Sequence, residues 1–310
     1  MLVMGRRRSL CVAAAVLLGL GGCSGEESSP DTEAAAVRAQ MAWDSAQQQY
    51  EEVQEIEGRL VRRCLTEQGF KIFPERRPPA KRPDNQERAV STDPIEAARI
   101  GYGYDPRRKP QQEVVDSSAY AQTPDSYKRK LTLAEYGPDS ETVSFTAPDG
   151  TTIDMPRGGC LGTIRTSLYG DLKEYLRLSF TADNLVRIEA SNDIEKNPKV
   201  LALVDPWREC VKNAGYPGIQ HPRDMREKAR DLYKGIARED HKALDAAAAN
   251  EIKIATAEAT CTKSVGLSEA VAAAKAQGSI KSLAKYEADM VAWNALVRKA
   301  LVKAQELLKA

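Results

Sequence analysis

Three cysteines share one local context, and that context constrains the fold more than any other feature of the chain. Cys64-Leu-Thr-Glu-Gln-Gly69-Phe70, Cys210-Val-Lys-Asn-Ala-Gly215-Tyr216 and Cys261-Thr-Lys-Ser-Val-Gly266-Leu267 all read cysteine, four residues, glycine, apolar. A helix that ends with glycine in the left-handed region closes in a Schellman turn, and the apolar residue after it folds back on the last turn. Each cysteine then sits near a helix end, where it serves as a staple rather than a nucleophile. Cys160 differs, because it follows Gly158-Gly159 and opens a helix. None of these cysteines stands in a Cys-x-x-Cys arrangement, so neither a zinc knuckle nor a thioredoxin-type redox site is indicated.

The remaining two cysteines belong to the start of the chain. Arg6, Arg7 and Arg8 form a positive segment, Leu10 to Leu20 is apolar, and Leu20-Gly21-Gly22-Cys23 places small residues directly before a cysteine. The apolar run is shorter than the roughly 20 residues that a bilayer-spanning helix needs. Residues 1–22 therefore read as a cleaved lipoprotein signal, with Cys23 as the lipidated new N-terminus and 23–33 as a polar tether. Arg6-Arg7-Arg8-Ser9-Leu10 partly fits the twin-arginine export motif, although Ser9 stands where phenylalanine is usual; export by the general route stays open beside it. The expected location is the outer face of the cytoplasmic membrane.

That address gives the other cysteines their meaning. Cys11 leaves with the signal and Cys23 carries lipid, so Cys64, Cys160, Cys210 and Cys261 remain, an even number in an oxidising space. Four cysteines allow three pairings; Cys64–Cys160 with Cys210–Cys261, which joins neighbours in the chain, is the expected one. Loops of this length would each contribute about 4–5 kcal/mol in the chain-entropy model.

Loss of the signal reduces 45 basic residues to 42, against 44 acidic ones. A nearly neutral body argues against a nucleic-acid partner held by bulk charge. With 42% hydrophobic residues but only four Phe and three Trp, the interior is expected to be built of Ala, Leu and Val on helices.

Periodicity gives a mainly α fold for residues 34–310: a disulfide-stapled helical bundle with long N- and C-terminal helices and one small β-hairpin. Ala34 to Gln68 reads as one helix, with Trp43, Ala46, Tyr50, Val53, Leu60 and Cys64 on a stripe that Glu57 interrupts. Residues 74–93 are rich in Pro and Arg and read as an irregular loop, and Asp93-Pro94 as the cap and first residue of a short helix. Residues 141–156 alternate as a hairpin around Pro148-Asp149-Gly150. Asp171-x-x-Glu174 resembles a capping box. Asn197-Pro198 and Asp205-Pro206 each read as a helix stop and restart. A helical stretch opening at His221-Pro222 is continued by the Ala-rich segment to Cys261. The last helix is expected to run unbroken from Ser268 to near Ala310, and to pack antiparallel on the first within one monomer.

Catalytic and metal sites are not indicated. His221 and His241 are the only histidines and stand in no zinc-binding spacing. No nucleophile elbow and no phosphate-binding glycine loop is present, and no cofactor is implied. Gly158-Gly159-Cys160 reads as a turn that brings Cys160 to its partner. Among surface candidates, Tyr102 and Tyr104 of Gly101-Tyr102-Gly103-Tyr104 could present aromatic faces to a ligand, with packing of the rings on the core as the alternative. The Pro/Arg loop could touch anionic lipid or wall polymer.

The lipobox, Arg63-Cys64 through Phe70, the Gly-Tyr-Gly-Tyr run, Gly159-Cys160-Leu161, Trp207-Arg-Glu-Cys210 with Gly215-Tyr216, and Cys261 with Gly266-Leu267 resemble a group of uncharacterised actinobacterial secreted lipoproteins with four mature-chain cysteines. The resemblance implies architecture and address, not a mechanism. The functional expectation is a membrane-anchored, non-enzymatic binding or scaffold protein whose partners are the membrane and an envelope protein or cell-wall polymer. A cell-wall hydrolase and a solute-binding lipoprotein of a transporter are the alternatives.

Overall fold

The computed structural model describes residues 28–74, 93–108 and 118–310; the signal, Cys23 and nearly all of the Pro/Arg loop lie outside them. The first helix, α1, covers Pro30–Glu67. It starts four residues before the expected boundary because the local chemistry is complete there. The Ser29 hydroxyl accepts from the Thr32 amide, Pro30 takes the first position, and Asp31 and Glu33 sit in the first turn. Residues 30–33, expected to be part of a polar tether, are thus helical. A short α2 (Pro94–Ile100) is capped by Asp93, whose side chain accepts from the Ile95 amide, and α3 covers Asp125–Tyr136. Strands β1 (Thr142–Thr146) and β2 (Thr152–Pro156) pair antiparallel with Phe145 opposite Ile153 and Val143 opposite Met155. That register places the apolar side chains on one face, and Phe145 meets Phe180 of the bundle at 6.2 Å.

Helices α4 (Gly159–Tyr169), α5 (Leu172–Phe180) and α6 (Val186–Lys196) follow, with a π-helical turn over Thr181–Leu185 joining the last two. Next comes α7 (Pro198–Asn213), which Asn197 caps as expected. The expected stop at Asp205-Pro206 is absent, and Pro206 lies inside α7. Val200, Trp207 and Val211 form one buried face across the proline, and burial of that face outweighs the amide that Pro206 lacks.

The stretch after His221-Pro222 is two helices, α8 (Pro222–Asp231) and α9 (His241–Ser264), separated by a turn region around Gly235, which has φ of 75°. The expected long last helix is also two, α10 (Leu267–Lys285) and α11 (Glu287–Lys309). They part at Tyr286, where the Lys285 ammonium and the Tyr286 hydroxyl both donate to Glu189 of α6. Gly266, not Ser268, precedes the first turn of α10.

All three glycines of the cysteine repeat are left-handed as expected, but the return bond forms after two of them, since Leu267 after Gly266 opens α10. Gly69, Gly215 and Gly266 have φ of 92°, 94° and 75°. The amides of Phe70 and Tyr216 reach back to the carbonyls of Leu65 and Val211, at 3.1 Å each, which closes Schellman turns on α1 and α7. The disulfides are Cys64–Cys160, joining α1 to α4, and Cys210–Cys261, joining α7 to α9, with Cα separations of 5.9 and 5.6 Å.

Packing of the terminal helices corrects the antiparallel expectation. Arg38 bonds Glu287, Tyr50 meets Trp293 at 5.0 Å, and Arg63 donates to the Leu307 carbonyl. The partners ascend together, so α1 and α11 run parallel. An apolar stripe fixes which face of a helix is buried but not its direction, and the long intervening chain allows either.

One apolar core gathers α1, α5, α11 and the hairpin around Trp293, Met290 and Leu60, and a smaller cluster surrounds Cys160 between α1, α3 and α4. A second core gathers α2, α7, α8, α9 and the start of α10 around Trp207, Met225 and Ile254. Between the two, α6 and α10 meet through small residues; a Cβ on Gly278 would lie 3.0 Å from the Ala190 carbonyl oxygen. Among the described residues no helix is long and apolar enough to cross a membrane.

Candidate functional site

The densest polar chemistry lies inside the second core, on α9. Its buried residues Leu244, Ala247, Glu251, Ile254, Glu258 and Cys261 recur at three- and four-residue steps, so two carboxylates occupy core positions. Glu251 and Glu258 are each 2% exposed. A buried carboxylate must be paired or hydrogen-bonded, and the Gly101–Arg108 segment after α2 supplies much of that pairing. The Tyr102 hydroxyl donates to Glu258, and the Tyr104 amide donates to Glu251 at 3.0 Å. From the other side the Tyr233 hydroxyl also donates to Glu251. Gly101, at φ of 59°, presses its backbone against this carboxylate, 3.0 Å from where a Cβ would stand. Arg107 closes the far end of the segment on Asp105 and Asp245, at 2.8 Å each.

Electrostatics follow from that enclosure. Burial raises the Glu258 carboxyl to about 7, against smaller lowering contributions from the Tyr102 bond and the Arg226 charge. Burial likewise pushes the Tyr102 hydroxyl far above its ordinary range, so it acts only as a neutral donor. Asp105 is held below the carboxylate range by its bonds from Arg107.

A second polar cluster explains the interruption in the α1 stripe. Glu57 is 7% exposed and stays in the core because Arg165 of α4 donates to it at 3.1 Å. The Tyr169 hydroxyl donates to the same carboxylate at 3.4 Å, and its ring stacks on Tyr175 with centroids 4.0 Å apart. Tyr50 and Tyr175 join hydroxyls at 2.7 Å. Burial raises all three phenols. These groups tie α1, α4 and α5 together.

The aromatic surface expected of Tyr102 and Tyr104 is not what the fold presents. Tyr102 is 8% exposed and faces the second core. Tyr104 is half-buried, stacked on Tyr102 at 5.5 Å and covered by the Arg230 guanidinium at 5.0 Å from its ring. Apolar area and two buried carboxylates draw the rings inward. Gly158 and Gly159 allow a close approach that the sequence does not foretell: a Cβ on Gly159 would stand 2.5 Å from the Glu135 carbonyl oxygen at the end of α3. His221 precedes α8 and His241 opens α9, both exposed.

Among the described residues, no three or more His, Cys, Asp and Glu side chains converge as metal ligands. Hollows of about 430 and 530 Å³ lie by Lys128–Asp139 and between Tyr169 and Lys303, away from the buried carboxylates. Glu251 and Glu258 thus hold the 101–108 segment in place and are shut away from solvent, while Asp245 pairs with Arg107 at the surface. No protein family, curated protein or solved structure matches this chain.

Proposed function

We propose that this chain is a lipid-anchored, extracytoplasmic protein with a non-enzymatic binding or scaffolding role at the cell envelope. The observation that carries the reading is the complete pairing of Cys64, Cys160, Cys210 and Cys261 in a chain whose Cys23 follows a lipobox. Such pairing suits an oxidising compartment. A scaffold role is supported by where the strongest chemistry goes, since Glu57, Glu251 and Glu258 are spent on holding helices and one strap together.

Cys23→Ser tests the address. Wild-type protein should partition with membranes and come out only with detergent, whereas the variant should be soluble outside the cytoplasm; equal partitioning of both contradicts the anchor. Incubation of the soluble variant with isolated wall glycan tests the role. Release of new reducing ends, lost on heat denaturation, would replace the scaffold with a hydrolase.

A further inference from the structure

The geometry points to the outer face of the first three turns of α1 as a surface that lies on the lipid bilayer, a contact that rests on the lipid-anchored reading above. Pro30, Ala34, Val37 and Met41 recur at four-, three- and four-residue steps, which puts them on one face at 3.6 residues per turn. That face points away from the buried stripe of Ala36, Ala39, Ala42 and Ala46. All four are exposed, Val37 at 58% and Met41 at 67%. Further along the same side the residues turn polar, with Gln48, Glu52, Glu55 and Arg59. A helix face that is apolar at one end and charged at the other, with no described residue covering the apolar end, calls for a partner at that end.

Chain length identifies the partner. Cys23 precedes Pro30 by seven residues, which fully extended reach about 25 Å. Lipid on Cys23 thus holds Pro30, where α1 starts, within that distance of the bilayer, and Met41 stands only about 16 Å further along the helix. A contact too weak to form between free protein and free vesicles is populated when a short tether sets a millimolar effective concentration. Val291, 51% exposed, lies one turn beyond Glu287, which bonds Arg38 between Val37 and Met41, so α11 adds an apolar side chain at the same level. Asp31, Glu33 and Asp44 border the stripe and offer nothing to anionic headgroups, and Arg38 beside them is already paired with Glu287. The contact is therefore apolar, and its occupant is the acyl boundary rather than a charged surface.

The test uses full-length lipidated protein, its mass checked for lipid on Cys23, in phosphatidylcholine vesicles. An environment-sensitive fluorophore is placed on Met41→Cys or, as a control, on Glu55→Cys. Both positions are exposed, on one side of α1 and about 21 Å apart along its axis. The expected result is a brighter, blue-shifted emission at 41 on membrane insertion and no change at 55, unaltered by salt. Lipidated protein with no shift at 41, or with equal shifts at both sites, overturns the docking and leaves the anchor intact. Absence of lipid on Cys23 overturns both.

Discussion

Glu258→Gln separates the charge of this buried side chain from its shape, since glutamine keeps an oxygen to accept from Tyr102. Burial raises the carboxyl from 4.5 to about 7. At about 1.4 kcal/mol per pH unit, that displacement is worth about 3 kcal/mol. The sign follows from proton uptake. Between pH 4.5 and about 7 the folded protein binds a proton at Glu258 that the unfolded chain has released, so stability falls as pH rises through this window. Below it both states are neutral at this site, and above it both are charged, with the folded state carrying the full cost. Urea unfolding of wild type and variant, with disulfides intact, gives the difference in stability at each pH, in which all other titrating groups cancel. The variant should gain on the wild type by up to about 3 kcal/mol, with the rise spread between pH 4.5 and about 7 and level above it. A difference that stays flat across this range would show that Glu258 ionises as freely in the fold as in water, and the account of the strap would fail with it.

Tyr102→Phe removes a donor that lowers the Glu258 carboxyl, so the same titration should centre at a higher pH, with a loss of about 1–3 kcal/mol at pH 8; an unmoved midpoint would contradict the bond. Gly215→Ala should cost about 1 kcal/mol in a thermal melt. No atom lies within 4 Å of the added Cβ, so the whole cost is the left-handed φ of 94°, and a neutral substitution would refute the Schellman turn. The double variant Cys210→Ala, Cys261→Ala closes no 51-residue separation and should lose about 4 kcal/mol by chain entropy. The Cys64–Cys160 pair, with a separation of 96, should be worth about half a kcal/mol more, and the reverse order would show that loop length does not set these values.

What the sequence makes legible is local. The helix-ending glycines, the caps at Asp93, Asp171 and Asn197 and the hairpin register follow from chemistry within a few residues. Chain proximity favours the cysteine pairing that the fold adopts but does not fix it, since Cys160 stands nearer in sequence to Cys210 than to Cys64. Long-range choices are not legible in the same way. The parallel course of α1 and α11 and the break at Tyr286 depend on partners such as Glu189 that lie far away in the chain. Pro206 inside α7 shows a local breaker outweighed by a buried tryptophan face. The site had a readable signal: Glu251 and Glu258 share the heptad-like stripe of Ala247, Ile254 and Cys261, as Glu57 shares that of α1. A carboxylate in an apolar stripe marks a buried polar contact, but its partner is visible only once the fold brings Tyr102 or Arg165 to it.

The most direct test of an anchored, stapled body is the intact mass and disulfide map of the mature protein purified from membranes. The account requires loss of residues 1–22, added lipid on Cys23, and no alkylatable thiol, with Cys64 joined to Cys160 and Cys210 to Cys261. An unmodified N-terminus would contradict the address, and a free thiol among the four would contradict the stapled fold.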